Sequence, residues 1–329
     1  MLLRQQPESA IEEAMKNFEP AMRMAINAAE QFLGATSPNP PVGAIALDRN
    51  GKVVLGAGHQ KAGTAHAEAK VLELASKLGK IRDIETLVIT LEPCNHDGKT
   101  PPCTKAILKH PQIKRVVIGC RDPNPNVKGR GIEQLKSAGI EVLQGVLESE
   151  CAFLIRAFAK QVRTGRPYVT LKAAFNKEGS MIPPAGQKTF TSQASLIFAH
   201  ELRKRSDAIW TGSGTVLADQ PEFTVRHLPD HPGKQRFLLL SDRRRRIPKS
   251  WLESAEKKGF QLHYAETFSD GLDFLGKNGV LEVLVESGPT LYDAWFDSGL
   301  WDESVIIQQG QDGEDDEIEI DFRSELGEE

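Results

Sequence analysis

Hydrophobic and polar positions change period repeatedly along the chain, and each change marks an element. Between residues 9 and 33, Ile11, Met15, Phe18, Met22, Ile26 and Ala29 fall on or near one stripe at helical spacing. Pro20 interrupts the stripe and predicts a leader helix over residues 1–18, set apart from the first helix of a domain spanning 19–163. "VGAIALDRNGKVVLGAGH" predicts a hairpin turning at Asn50-Gly51, followed by a helix from about Ala65 to Leu78. Then come the strand "TLVITLE", the helix "TKAILKH", the buried strand "IKRVVIGCRD", the helix "GIEQLKSAG" and the strand "IEVLQGV". Strands alternating with helices argue a mixed α/β layer structure.

The pattern restarts at "QVRTGRPYVTLKAAF", where Thr164-Gly165-Arg166-Pro167 is turn chemistry ahead of a fresh apolar strand. A second domain over 164–310 is expected: the helix "SLIFAHELRKRS", strands "DAIWTGSGT" and "QRFLLLSD", a helix near 250–258, and "VLEVLVESGP" running into "TLYDAWFDSG". No internal repeat is evident. The run Arg243–Arg246 follows a predicted strand and reads as a solvated turn rather than a nuclear signal.

Composition narrows the class. The chain's 329 residues suffice for two domains with cores of their own, and 40% hydrophobic with 26% charged residues is a globular balance. No apolar run reaches the length of a membrane span, and "MLLRQQPESA" lacks the apolar core of a signal peptide, so a cytoplasmic protein without a membrane partner is expected. Four cysteines make no disulfide framework. A reducing compartment favours metal or catalytic roles for a clustered pair, while Cys120 and Cys151 read as buried bystanders. The net charge of −4 conceals an asymmetry: residues 311–329 carry ten acids and one arginine, leaving the rest at +5. That tail is expected to be solvated and partly disordered. The positive body suits a small anion and does not call for nucleic acid.

The chemistry gathers around "TLEPCNHDGKTPPCTKAI", where Cys94 and Cys103 stand with eight residues between them. "HAE" at 66–68 offers a third ligand at a helix start. His-x-Glu, then Pro-Cys at a strand-to-helix turn, then a further Cys, resembles the ligand set of the zinc deaminases. One imidazole and two thiolates would hold a tetrahedral zinc with one position left for water, whose pKa the metal lowers. Glu68 would carry protons to the leaving amine without ligating, and a helix start would favour the thiolates. Taken singly the parts are weak, since His-x-Glu is common on surface helices. Two cysteines could be half of a structural zinc knot, with His96 the candidate fourth ligand in the loop. The spacing exceeds the two residues of cytidine and adenosine deaminase motifs. "NHDGKTPP" is therefore expected to form a lobe that presents Lys99 to an anionic substrate larger than a free base.

With "TSPNPPVGAI", "GAGHQKAGTAHAE", "TLEPCNHDGKTPPC", "DPNPNVKGRGIEQLKSAGI", "RPYVTLKAAF", "GSGTVLADQPEFTVR" and "ESGPTL" in order over about residues 20 to 303, the chain resembles the bifunctional riboflavin-biosynthesis deaminase–reductase family. The resemblance implies a cytidine-deaminase-like α/β/α domain joined to a dihydrofolate-reductase-like α/β domain, often as a homo-oligomer. It implies zinc-dependent deamination of 2,5-diamino-6-(ribosylamino)pyrimidinone 5′-phosphate, then reduction of the ribosyl side chain with NADPH. Carried over by position, it puts zinc on His66, Cys94 and Cys103, with Glu68 as proton shuttle. Substrate contacts fall to Asn39, His59, Lys99, Asp122 and Asn124. In "KGRGIEQL", free N–H groups at a helix start would join Arg130 as an anion site. In the second domain Thr191, Arg203, Arg226 and Glu286 match substrate contacts, the two arginines suiting a phosphate. Thr215, Asp219 and Gly288 match cofactor contacts, with the N–H groups of "ESGPTL" facing a dinucleotide phosphate.

The second half also departs from the family pattern. Glu178 stands for an aspartate, Ser180 for a substrate-contacting lysine, Thr189-Phe190-Thr191 for Trp-Ile-Thr, and Gln220 for the second acid of Ala-Asp-Asp-Pro. Three functions therefore compete: the bifunctional enzyme, a deaminase whose second half only binds or oligomerises, and a zinc-stabilised interaction protein whose acidic tail docks a basic partner.

Overall fold

A computed structural model describes residues 8–96, 101–124, 130–184, 186, 187, 189–311 and 314–323. Lys99 lies outside the described residues. The chain divides into two compact units, Met1–Arg163 and Thr164–Glu329.

The first unit opens with α1 (Glu8–Glu30), which runs unbroken through Pro20 and so corrects the expected break after residue 18. A proline inside a helix costs about 3 kcal/mol. Here Met15 and Phe18 before it, and Met22, Ala25 and Ala29 after it, pack into the same apolar cluster. Each large buried side chain is worth about 1.5–3 kcal/mol, so the stripe outweighs the lost bond. The helix lies directly on the hairpin of β1 (Gly43–Leu47) and β2 (Val53–Gly58): a Cβ at Gly43 would sit 1.8 Å from the Ala25 carbonyl oxygen.

There follow α2 (Ala67–Lys77), β3 (Thr86–Leu91), α3 (Cys103–Leu108), β4 (Arg115–Cys120), α4 (Arg130–Ser137), β5 (Glu141–Gln144), α5 (Glu148–Leu154) and α6 (Arg156–Thr164). The sheet order is β2-β1-β3-β4-β5, with β3, β4 and β5 parallel. Alternation sorts its two faces. Leu87 and Ile89 pack with Val71 of α2, Ile107 of α3 and Leu135 of α4, whereas Val88 and Val117 pack with Met22 of α1 and Leu154 of α5. Helices α2, α3 and α4 thus share one face, which brings their starts to the carboxyl ends of β3 and β4.

The second unit comprises β6 (Tyr168–Phe175), α7 (Gln193–Arg205), β7 (Ala208–Gly212), α8 (Ser213–Asp219), β8 (Arg236–Ser241), α9 (Lys249–Lys257), β9 (Phe260–Tyr264), α10 (Phe268–Lys277), β10 (Glu282–Glu286), α11 (Pro289–Ser298), β11 (Glu303–Gln308) and β12 (Glu317–Phe322). Its sheet, ordered β12-β11-β6-β10-β7-β8-β9, is parallel except for the β11–β12 pair. Trp210, Leu239, Val283 and Val285 face α10 and α11, while Ile209, Leu238 and Leu240 face α8 and α9.

Three expectations change here. The strand foreseen through Thr215 ends at Gly212, because Ser213–Asp219 turns into α8 and buries Val216. Helix α10 went unforeseen because Gly271 and Gly276 are poor helix formers, yet a Cβ at Gly271 would meet the Trp210 ring at 2.2 Å. The acidic tail is not wholly unstructured: Glu317-Ile318-Glu319-Ile320-Asp321-Phe322 alternates strictly and pairs with β11 along its whole length. Composition had masked a period-2 signal. Among the described residues, no helix is long and apolar enough to cross a membrane.

Candidate active sites

The first unit builds a metal site where β3 ends. His66 is the residue just before α2, Cys94 lies in the loop after β3, and Cys103 is the first residue of α3. The face shared by α2 and α3 brings them together: Nδ1 of His66 lies 3.6 Å from Cys94 Sγ and 3.3 Å from Cys103 Sγ. All three ligand atoms lie within 4.8 Å of one another, and no fourth His, Cys, Asp or Glu joins them among the described residues, His96 included. The Cys103 N–H donates to Cys94 Sγ at 3.4 Å. Hydrogen bonding from Cys103, helped by His66, holds the Cys94 thiol down to about 4, while the proton shared with Cys94 and burial keep the Cys103 thiol high. One thiolate beside one thiol and an imidazole is a donor set from which a zinc ion would displace the remaining proton. The residues fit zinc.

Glu68, in the first turn of α2, is buried against this cluster. Burial raises its pKa first, and the Cys94 sulfur adds to the shift, so the carboxyl holds a proton more readily than an exposed glutamate. His59 packs edge-on against His66 with ring centroids 5.1 Å apart. Its Nδ1 lies 3.2 Å from the Ala65 carbonyl oxygen and its Nε2 lies 3.3 Å from Asn39 Nδ2. An oxygen acceptor at Nδ1 and an amide donor at Nε2 select the tautomer protonated on Nδ1, and burial lowers the pKa to keep the ring neutral. Asn39, His59 and His66 therefore form a continuous line of contacts beside the metal cluster that Glu68 adjoins.

Glu92, which sequence reasoning missed, organises the backbone behind the metal cluster. Only 3% exposed, it follows β3 directly. Its Oε1 accepts from the N–H groups of Gly131 (3.2 Å) and Ile132 (3.5 Å), and its Oε2 accepts from the Asp122 N–H (3.4 Å). Of the anion site expected at the start of α4, Lys128 and Gly129 lie outside the described residues, and the N–H groups of Gly131 and Ile132 are bonded to Glu92. Gly131 is required there because a Cβ would lie 2.1 Å from the Pro93 carbonyl oxygen. Arg130 itself is exposed, and its carbonyl accepts from Asn95 Nδ2. Asp122 is buried, accepts the Asn124 N–H at 2.8 Å, and has its pKa raised by burial, with Glu92 adding to the shift. No local signal marked it, because the helix whose N–H groups it accepts, α4, begins 38 residues further along the chain.

In the second unit a cavity of about 960 Å³ opens at the carboxyl ends of β7, β8 and β10, where parallel sheets bind ligands. Thr215, Asp219 and Gly288 all line it. Its size and small-residue walls at Gly212, Gly214 and Gly288 fit a dinucleotide. The Gly288 N–H donates to Thr215 Oγ1 at 2.8 Å, while Ser287, Thr290 and Leu291 of the same segment also line the cavity.

The expected substrate contacts sort differently. Arg203 and Glu286 are partners of each other, joined at 2.7 and 3.1 Å and largely buried, so Arg203 does not present a free fork to a phosphate. Lys172 on β6 and His200 on α7 adjoin this pair. Burial lowers both pKa values, that of His200 to about 4 with Arg203 as a further cause. Arg226 is more open, bonding Glu222 at 3.1 Å. Thr191 bonds Thr189 Oγ1. Of the departures, Ser180 closes a turn organised by buried Asn176, whose Oδ1 accepts from the N–H groups of Glu178 and Ser180, and Gln220 is the left-handed cap of α8.

Comparison with known proteins agrees with both halves. Residues 15–120 match the cytidine and deoxycytidylate deaminase zinc-binding region, and residues 167–309 match the RibD C-terminal domain. Riboflavin biosynthesis protein RibD of Bacillus amyloliquefaciens is 38% identical over 86% of this chain and 81% of its own length, and that of Escherichia coli (strain K12) 32% identical over 87% and 85%. A Thermotoga maritima diaminohydroxyphosphoribosylaminopyrimidine deaminase/5-amino-6-(5-phosphoribosylamino)uracil reductase has 32% identity and a TM-score of 0.78, covering 92% of this chain and 89% of its own. Acinetobacter baumannii RibD has 33% identity and a TM-score of 0.77 over 92% and 90%. With both halves matched, a deaminase carrying a merely binding second half is not favoured. This chain, with its zinc-binding deaminase half and its NADPH-dependent reductase half, belongs to the RibD family of riboflavin-biosynthesis proteins.

Proposed function

We propose that the first unit hydrolytically deaminates 2,5-diamino-6-(ribosylamino)pyrimidinone 5′-phosphate and that the second reduces the ribosyl side chain of the product with NADPH. The observation that carries the first half is a three-ligand His66–Cys94–Cys103 cluster beside a buried carboxyl. When bound, zinc supplies the Lewis acidity that makes water nucleophilic at neutral pH. Glu68 takes one proton from the attacking water and delivers it to the ring nitrogen, then takes the remaining hydroxyl proton and passes it to the amine, which leaves as ammonia while the ring carbon gains a carbonyl. Its raised pKa suits a group that must both accept and give a proton. Neutral His59 with Asn39, and Asp122 with Asn124, orient the pyrimidine.

In the second unit Thr215, Asp219 and Gly288 border the dinucleotide, which supplies hydride. Exposed Arg226 and half-buried Thr191 are the groups left to contact substrate, beside the buried Arg203–Glu286 pair and Lys172. Ammonia release should fall by about 10²–10⁴-fold in Glu68→Gln while bound zinc, counted by elemental analysis, stays at the wild-type level. Unchanged ammonia release would remove Glu68 from this role. NADPH consumption fed by the deaminated product tests the second half.

The acting protein is cytoplasmic and homo-oligomeric in this reading. Its four cysteines are all free. Ile318, Ile320 and Phe322 form an exposed apolar row on edge strand β12, which suits a second copy. Light scattering on Ile320→Glu should report a smaller particle.

A further inference from the structure

Residues 221–226, between α8 and β8, form neither helix nor strand, so the backbone that carries Arg226 has no ladder to hold it. Three points fix this segment instead. Phe223 is 2% exposed and packs edge-on against Trp251. The Thr224 carbonyl oxygen accepts from Arg203 Nη1 at 3.4 Å, and Nδ1 of His200 accepts the Arg226 N–H at 2.9 Å. His200 and Arg203 stand three residues apart on α7 and therefore share a face of it. Arg203 is itself tied to Glu286. Among the described residues, the His200 ring is the one partner of the Arg226 N–H.

A neutral imidazole offers one lone pair, and two donors compete for it here. Arg203 Nη1 lies 3.3 Å from Nε2, on the far side of the ring from the shorter contact between the Arg226 N–H and Nδ1. Arg203 has other acceptors in Glu286 and Thr224, whereas the Arg226 N–H has none. The lone pair therefore falls to Nδ1 and the ring proton to Nε2. Burial, with Arg203 as the next cause, lowers the pKa of His200 to about 4 and keeps the ring neutral. From a backbone anchored in this way the Arg226 side chain emerges into solvent, braced by Glu222 at 3.1 Å and by Thr224 Oγ1 at 3.0 Å. We infer that His200 is a positioning residue of the reductase half: it fixes the backbone of Arg226 so that the guanidinium meets the anionic end of the substrate in one orientation. The inference rests on the reductase reading of the second unit and on Arg226 as a substrate contact.

The test is steady-state reduction of the deaminated product by the full chain, followed by NADPH absorbance, with NADPH binding measured alongside. His200→Gln, whose amide extends toward the Nε2 position, and His200→Leu both remove the acceptor at Nδ1. Each should raise KM for the product about tenfold, with kcat kept within about threefold. His200→Asn places its Oδ1 where Nδ1 stood and should bring KM back to within about threefold of wild type. NADPH affinity within about twofold of wild type reports an intact second unit in each variant. A double-variant cycle separates positioning from support of the fold: Arg226→Ala should raise KM by itself, and adding His200→Gln to it should raise KM no further. If KM is unchanged in His200→Gln, if His200→Asn is as impaired as His200→Gln, or if the two losses multiply in the double variant, the positioning role is refuted while the reductase reading stands. If wild type consumes no NADPH with the product, both fall.

Discussion

Replacing Glu92 tests whether the deaminase site is held from behind by one carboxylate. Glu92→Ala strips the acceptor from three N–H groups, those of Asp122, Gly131 and Ile132. A buried donor left unpaired costs about 1–3 kcal/mol. The observed separations of 3.2–3.5 Å are at the long end, so the low end applies to each, for a total of about 2–4 kcal/mol. For a unit of this size that is a fall in melting temperature of roughly 5–12 °C. Glu92→Gln should cost about half as much: its carbonyl can still accept from Gly131 and Ile132, but its amide then faces the Asp122 N–H donor to donor. Hydrogen exchange gives the local readout. The amides of Asp122, Gly131 and Ile132 should lose protection in the alanine variant, and zinc affinity should drop about 10–100-fold because Cys94 stands two residues along the same loop. A variant that melts within a degree of wild type and keeps those three amides protected would refute the role given to Glu92.

Removing one partner of the buried Arg203–Glu286 pair should destabilise the second unit by about 3–5 kcal/mol, whereas Arg226→Ala, at an exposed i,i+4 pair, should cost under about 1 kcal/mol; urea midpoints of the two variants decide. His200 titrates near 4 in the fold against an ordinary 6.5. As pH falls through that window the unfolded chain takes up a proton that the native ring declines, so stability drops on acidification between about 6.5 and 4. His200→Asn should flatten the pH dependence of the urea midpoint in that window, and an unchanged slope would refute the assignment.

The deaminase half was legible because its chemistry is written in short, ordered motifs. His66-x-Glu68 at a helix start and Pro93-Cys94 at a strand end need only the β3–α3 turn and the α2 helix to meet, and each was readable from period and capping. The second half was harder for a physical reason. Helix α10 carries two glycines, one packed on the distant Trp210 ring and one on the Gly165 backbone, β9 is half polar, and β12 is so acidic that charge concealed its alternation. Pro20 misled in the opposite sense, since local propensity argued for a break that tertiary packing of α1 on β1 overrode.

A motif locates a polar group, but whether that group is available depends on what the fold sets against it. At the start of α4, at Gly288 and at Arg203, the sequence promised free donors for a phosphate. In each case the chain supplies the acceptor itself, from Glu92, Thr215 and Glu286. Self-satisfaction at these points is what buried polar groups require, because an unpaired donor would destabilise the fold before any ligand arrived. Groups that can wait for a ligand must be solvated in its absence, and exposed Arg226, bonded to Glu222 and Thr224, meets that condition.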